Sequence, residues 1–419
     1  MQVICYPSTL RGEVPAIPSK SDAHRILICA ALADATTRVK MDARLSEDVA
    51  ATVRCLTALG ASFAQEDASF LVIPIRECPN APVLDCGESG STLRFLLPVA
   101  AALGCNARFT GSGRLPERPI GPMVKALREG GVLLDRDSLP LRMEGKLSAS
   151  SFELPGNISS QFITGFLFAL PLIGGGEIRL KQALESAPYV AMTNCTLARF
   201  SVNVTATQEG FVVAPGQRYV SLKELSVEGD WSNMAFFLTA GALGGPVSCS
   251  GLSQKSLQGD SAVTALLSRF GAQVTREGDC INAQKKDLLA IEIDAREIPD
   301  LVPILSVVAA VSEGTTKIGN AARLRLKESD RLQTVAQMLR SLGGKVTEGE
   351  DFLSIEGQES LEGGVVDCCG DHRIAMAAAV AATVCREKTI LNGAEAVDKS
   401  YPRFFEDYQM LGGKCECRP

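Results

Sequence analysis

Histidine is nearly missing from this chain: His24 and His372 are the only two in 419 residues, too few to build a histidine-rich metal site. No stretch of roughly 18 residues is continuously apolar, as a membrane span would be, and no basic segment followed by an apolar one opens the sequence. Neither a membrane helix nor a signal peptide is therefore expected, and the cytoplasm is the expected location. Positive charge is also in short supply, with 42 Lys and Arg against 48 Asp and Glu and a net charge of -6. General affinity for nucleic acid needs a net basic surface or patch, so that class of partner is excluded. The pattern GxxxxGK[ST] does not occur and no GxGxxG opens a βαβ unit, which leaves nucleotide cofactors without their usual cradle. Cysteine is plentiful at fourteen, yet scattered: Cys368-Cys369 and Cys415-x-Cys417 are the close pairs, and neither has zinc-ligand spacing. Reduced, mostly buried thiols are expected.

What the chain does have is apolar bulk, 46% hydrophobic against 21% charged residues, and too much length for one ordinary core. It also repeats. Segments with a polar start and an apolar continuation recur as SKSDAHRILICAALA, ESGSTLRFLLPVAAALG, NISSQFITGFLFALPLIG, DWSNMAFFLTAGALGG, IPDLVPILSVVAAVSEG and DHRIAMAAAVAATVC, spaced by 69 to 72 residues. A second series interleaves with them at 68 to 72 residues: EDVAATVRCLTALGASF, PIGPMVKALREGGVLL, APYVAMTNCTLARFSVNV, GDSAVTALLSRFGAQV, ESDRLQTVAQMLRSLGGKV and SYPRFFEDYQMLGG. The first series predicts helices that are apolar nearly all round and hence buried; the second predicts amphipathic, half-exposed ones. Strand-like runs such as FLVIPI, VLLD, FVVA and FLSIE lie between them. A solenoid repeat is usually about 20 to 50 residues long. Six larger units with their own strands favour two globular domains of three units each, meeting near residues 218–228.

The polar residues gather where these helices begin. A helix N-terminus carries unpaired N–H groups and about half a positive charge, so a cation there is misplaced unless an anion joins it. This chain repeats that placement: Lys20, Arg25, Arg94, His372 and Arg373 open the buried series, while Arg118, Lys327, Arg331 and Lys399 stand at or just ahead of amphipathic members. In KESDR, an i, i+4 spacing puts Lys327 and Arg331 on one helix face, where they repel unless something negative lies between. Ser159, Ser160 and Gln161 in GNISSQF, and Ser89, Gly90, Ser91 and Thr92 in GESGSTLR, resemble loops that close on oxygen-rich ligands, although helix capping alone would explain one serine in each. Together these features predict a cleft between two domains that holds small ligands bearing several negative charges. Asp300, Glu328 and His372 with Asp371 are its acid–base candidates.

The order PSKSDAHR, GESGSTLRF, TGSGRLPERPIG, GNISSQF, ESAPYV, EGDWS, IPD, RLRLKESDR, GDHRIAMA and VDKSYPRF, over essentially the full chain, resembles the enolpyruvyl transferases, on the branch that acts on shikimate 3-phosphate. The resemblance implies an α/β fold: a two-domain inside-out α/β barrel, each domain three βαβαββ repeats around buried parallel helices. It implies one domain from residues 1–17 and 225–419, another from 18–224, and an active site in the interdomain cleft. It implies transfer of the enolpyruvyl group of phosphoenolpyruvate to the 5-hydroxyl of shikimate 3-phosphate through a tetrahedral intermediate, with no metal or organic cofactor, by a monomer. Carried over by position, shikimate 3-phosphate falls to Lys20, Ser21, Arg25, Ser159, Ser160, Gln161, Ser186, Asp300 and Lys327. Phosphoenolpyruvate falls to Lys20, Gly90, Arg118, Gln161, Arg331, Arg373 and Lys399. The catalytic set is Asp300, Glu328, Lys20, His372 and Lys399, with Asp300 accepting the hydroxyl proton and Glu328 handling the methylene proton.

Two positions depart from the resemblance. Glu88 stands where many members carry Asn, and Arg323 where some place an Asn that contacts shikimate 3-phosphate. A sister reading, transfer to UDP-N-acetylglucosamine, calls for a reactive Cys or Asp in the loop at 111–118, which here reads GSGRLPER. A non-catalytic anion-binding protein on the same fold would have lost the acid–base groups, and Asp300, Glu328 and His372 are all present.

Overall fold

The computed structural model describes residues 1–42 and 44–418. Its helices are α1 (Lys20–Leu32), α2 (Glu47–Ala58), α3 (Gly90–Leu103), α4 (Gly121–Glu129), α5 (Ser160–Ala169), α6 (Ala187–Arg199), α7 (Trp231–Leu243), α8 (Val263–Phe270), α9 (Val302–Ala309), α10 (Arg331–Ser341), α11 (His372–Ala381) and α12 (Phe404–Met410). The odd-numbered helices are the apolar series, and every residue of α7, α9 and α11 is buried. Five of the six odd-numbered helices start on a capping side chain, Ser19, Ser89, Ser159, Asp230 or Asp371, which accepts a first-turn N–H. A buried helix end must satisfy its orphan donors, and a short oxygen-bearing side chain is the local way to do it. The sixth, α9, follows Leu301 and has Pro303 in its first turn, where a missing N–H costs nothing.

Between the helices lie six four-stranded sheets of one topology. In the repeat spanning 83–144, Val83–Asp85 leads through α3 to the parallel strand Ala107–Thr110, and α4 leads to the hairpin Leu133–Leu134 and Leu141–Glu144. The inner hairpin strand pairs with Ala107–Thr110, placing Leu84, Phe109 and Leu141 side by side facing the helices. Three repeats are completed from a distance. Glu224–Ser226 runs parallel to Thr37–Lys40 and supplies the strand missing ahead of α1. Gly12–Pro15 does the same for Val247–Ser250, and Gln2–Tyr6 lies between Thr389–Asn392 and Lys414–Arg418.

These long-range pairings divide the chain into two compact units, Met1–Ile17 with Glu228 onward, and Pro18–Val227. The strand Glu224–Ser226 stays with the second of these. Each unit is an inside-out α/β barrel, with the apolar helices inside and the sheets around them. In the first, α7, α9 and α11 pack on one another. In the second, α3 and α5 approach most closely at Gly165, where an added Cβ would lie 2.1 Å from the Arg94 carbonyl oxygen, so glycine sets that distance.

The expectation of reduced thiols fails at one pair. Cys78, beyond the strand Ser69–Ile73, is disulfide-bonded to Cys105 just past α3, with their Cα atoms 6.3 Å apart. Their 27-residue separation joins two different repeats, so nothing local announces the contact. The remaining twelve cysteines are free and seven of them are buried; burial pushes thiols such as Cys29 and Cys249 up. Among the described residues no helix is long and apolar enough to cross a membrane.

Candidate active site

In the unit containing α7, α9 and α11, the carboxylates of Asp300, Glu328 and Asp371 meet the cations Lys327, Arg331 and Arg373. Arg331, the first residue of α10, is 1% exposed and touches all three acids. Its Nε donates to Asp371 at 2.8 Å, its Nη1 to Asp300 at 2.6 Å and its Nη2 to Glu328 at 2.7 Å. Burial alone would lower the guanidinium pKa; Asp371, Glu328 and Asp300 outweigh it and hold Arg331 well above the ordinary value. Asp300 is also reached by Lys327 Nζ at 3.4 Å and by Arg373 Nη2 at 3.1 Å. Burial pushes this carboxyl up, but Arg373, Lys327 and Arg331 together hold it well below the usual carboxylate range. Lys327 is drawn below its ordinary value by burial, with Asp300 opposing.

Asp371 is fully buried and also accepts from Ser329 Oγ at 2.9 Å and from the Arg373 backbone N–H at 3.0 Å. His372 and Arg373 follow it in the first turn of α11, both buried. Lys399 arrives from a 3-10 segment, Ala394–Lys399, and donates to the Gly370 carbonyl at 2.6 Å, immediately ahead of Asp371.

The helix-face reading of KESDR is corrected here. α10 begins only at Arg331, capped by Asp330, and Lys327 lies before it in extended backbone after the 3-10 segment Ala322–Leu326. The two cations therefore do not share a helix face. They converge instead on Asp300, which supplies the negative charge between them.

Asp260, which no sequence pattern had singled out, belongs to the same electrostatic cluster. It sits fully buried in the 3-10 segment Gly259–Ala262 and accepts a hydrogen bond from Ser232 Oγ. Burial, joined by the negative charge of Asp300, pushes its pKa up to about 6, with Arg373 opposing. A carboxyl raised in the folded state binds its proton more tightly there than in the unfolded chain. It thus favours folding below its unfolded pKa of about 3.9, and that advantage is lost as pH climbs through about 6. Asp260→Asn is accordingly expected to raise the melting temperature at pH 8 by roughly 5 °C and to leave it unchanged near pH 4; calorimetry at both pH values checks this.

The other unit carries the second group of candidates. Lys20, the first residue of α1, pairs with Asp48 at 2.8 Å. Arg25, one turn further and 2% exposed, donates to the Ser21 carbonyl (2.6 Å), the Thr193 hydroxyl (2.9 Å) and the Tyr189 carbonyl (2.8 Å), and its guanidinium lies over the Phe95 ring. Burial lowers its pKa to about 10, which still leaves it cationic at neutral pH. Ser186 occupies the position just ahead of α6 in left-handed backbone, φ +55°, with no side-chain capping hydrogen bond. Ser159 caps α5, Ser160 opens it, and Gln161 is fixed from both ends of its amide, receiving Arg94 Nη1 at 2.8 Å and donating to Ser91 at 2.9 Å. A Cβ on Gly90 would lie 2.7 Å from Arg118 Nη1 and 2.8 Å from Arg94 Nη1, so both guanidinium groups press against the bare backbone at the head of α3.

The two departures are also placed. The Glu88 carboxylate lies over Gly113, where an added Cβ would overlap it, and so packs on the 111–118 loop that leads to Arg118. Arg323 donates to the Arg296 carbonyl at 2.7 Å.

Inside-out α/β units with guanidinium groups converging on helix starts define the enolpyruvyl transferases, and comparison with solved structures agrees. The enolpyruvyl transferase NikO from Streptomyces tendae superposes over 99% of this chain and 98% of its own with a TM-score of 0.76 at 18% identity, a likeness of fold. EPSP synthase from Acinetobacter baumannii superposes with a TM-score of 0.82 at 25% identity over 99% of this chain and 100% of its own. The sequence profile of EPSP synthase (3-phosphoshikimate 1-carboxyvinyltransferase) matches residues 4–408. Relatives carrying the name 3-phosphoshikimate 1-carboxyvinyltransferase include those of Clostridium kluyveri, 41% identical over 98% of this chain and 97% of the relative, and Clostridium acetobutylicum, 42% identical over 97% and 96%. The chain belongs to the EPSP synthase family.

Proposed function

We propose that Asp300 and Glu328 handle the protons of an addition–elimination for which the two cationic clusters bind the substrates. The chain is a transferase of the shikimate pathway: it moves the carboxyvinyl group of phosphoenolpyruvate to the 5-hydroxyl of shikimate 3-phosphate and releases phosphate. The hydroxyl oxygen bonds to C2 of phosphoenolpyruvate, its proton passes to Asp300, and Glu328 protonates the methylene carbon to a methyl. The C2–O bond to phosphate then breaks as a proton leaves that methyl. Lys20, Ser21, Arg25, Ser159, Ser160, Gln161, Ser186, Asp300 and Lys327 are assigned to shikimate 3-phosphate; Lys20, Gly90, Arg118, Gln161, Arg331, Arg373 and Lys399 are assigned to phosphoenolpyruvate. His372, buried beside Arg373, and Lys20 and Lys399 complete the catalytic set.

The observation that carries this reading is the grip of Lys327, Arg331 and Arg373 on Asp300. A carboxylate held by three cations is too weak a base to take a hydroxyl proton. Phosphate and carboxylate groups arriving on those cations draw their charge away and raise the basicity of Asp300, so the base is released when both substrates are in place. Phosphate release from phosphoenolpyruvate, measured with a chelator present, tests the function. Release is expected with shikimate 3-phosphate and not with UDP-N-acetylglucosamine; release with the nucleotide sugar, or with neither acceptor, overturns it.

A further inference from the structure

His24 takes no part in the assignments above, yet it is 1% exposed and ends a chain of hydroxyl groups that leads to them. Its Nδ1 lies 2.7 Å from Thr52 Oγ1 on α2, that oxygen lies 2.7 Å from Thr92 Oγ1 on α3, and Thr92 donates to the capping Ser89 at 2.8 Å. Ser89 in turn accepts the Thr92 backbone N–H, which fixes the first turn of α3. The direction of the protons follows from counting them. The single Thr92 hydroxyl proton goes to Ser89, or to the Asp48 carbonyl at 3.4 Å, so Thr52 must donate to Thr92. Thr52 then has no proton for His24, and the imidazole must donate from Nδ1. Nε2 finds no hydrogen-bond partner among the described residues, so it carries a bare lone pair, the cheaper group to leave buried. Burial, with Lys20 and Arg25 nearby, keeps the ring neutral, in agreement with that tautomer.

The chain ties three helix starts together: His24 is one turn beyond Lys20 on α1, Thr52 one turn beyond Asp48 on α2, and Ser89 directly precedes Gly90 on α3. We infer that His24 is a positioning residue that, by donating from Nδ1 through Thr52 and Thr92 to Ser89, sets Gly90 and the Arg94 and Arg118 groups around it relative to Lys20 for phosphoenolpyruvate. This rests on the assignment of Lys20, Gly90 and Arg118 to that substrate.

Steady-state kinetics of variants tests it. His24→Leu is expected to raise KM for phosphoenolpyruvate about tenfold, with KM for shikimate 3-phosphate and kcat each within twofold of the parent. His24→Asn, whose side-chain amide donates from the Nδ1 position, is expected to restore the parent value, and His24→Gln, whose amide reaches the Nε2 position instead, is not. Where His24→Leu fails to fold, Thr52→Val cuts the same chain and carries the same expectation. Equal rises in both KM values, an unchanged KM for phosphoenolpyruvate, or failure of His24→Asn to restore it overturns the inference. Arg118→Ala separates the two levels of the reading. If it leaves KM for phosphoenolpyruvate unchanged, the substrate assignment itself falls; if it raises that KM while His24→Leu does not, only the positioning chain falls.

Discussion

Asp300→Ala is expected to lower kcat by roughly 10³-fold, the loss that follows removal of a positioned general base. The same change should also destabilise the protein at neutral pH, because Asp300 lies between Arg331 (2.6 Å), Arg373 (3.1 Å) and Lys327 (3.4 Å). Removing the shared acid leaves those cations less compensated in a low-dielectric setting, where loss of one partner of a buried pair costs about 3–5 kcal/mol. The sign of the pH dependence distinguishes this from a simple cavity. Asp300 is held well below the ordinary carboxylate range, so its contribution is present above its unfolded pKa of about 3.9 and is lost as pH falls through its lower folded value. The gap in melting temperature between parent and Asp300→Ala should be largest near pH 7 and shrink below about pH 4. Asp300→Asn keeps the shape and removes the base, so its kcat should fall as far. A kcat within tenfold of the parent in both variants would remove Asp300 from the proton transfer.

Glu328→Gln carries the second large effect. The proton that enters and leaves the methylene carbon passes through Glu328 in the proposed mechanism, so solvent deuterium should no longer wash into that methylene group. The kcat should fall by about 10²- to 10³-fold, while binding of shikimate 3-phosphate stays within a few fold. The structure explains why binding should survive: Arg331 loses one carboxylate contact at 2.7 Å but keeps Asp371 and Asp300. Undiminished exchange in the Gln variant would show that another group moves the proton, and His372 would then take the role.

Much of the fold was legible before any coordinates. The two helix series, their shared period and the buried character of the first series were written in apolar spacing, because a helix enclosed on all sides has no position that tolerates a charge except where a partner waits. The cations at the helix starts were legible for the same reason. Their partners were not. Asp48 beneath Lys20 and Asp260 beside Ser232 each join segments 28 residues apart within one repeat, the Cys78–Cys105 disulfide joins two repeats, and no local pattern marks such pairs. The KESDR reading failed through a boundary: Asp330 caps α10, so the helix starts after Lys327 rather than at it.

The sequence by itself determined the six-unit period, the helices that must be buried, and the anionic character of the ligands. All three follow from residue type and spacing along one chain. Only the tertiary structure decided which strand closes each unit, with Gln2–Tyr6 joining strands near the far end of the chain and Glu224–Ser226 reaching back to Thr37–Lys40. It alone also decided that Lys327, Arg331 and Arg373 converge on Asp300. Sheet pairing and charge pairing are set by which distant segments can be brought into contact at once, and that depends on packing the whole unit.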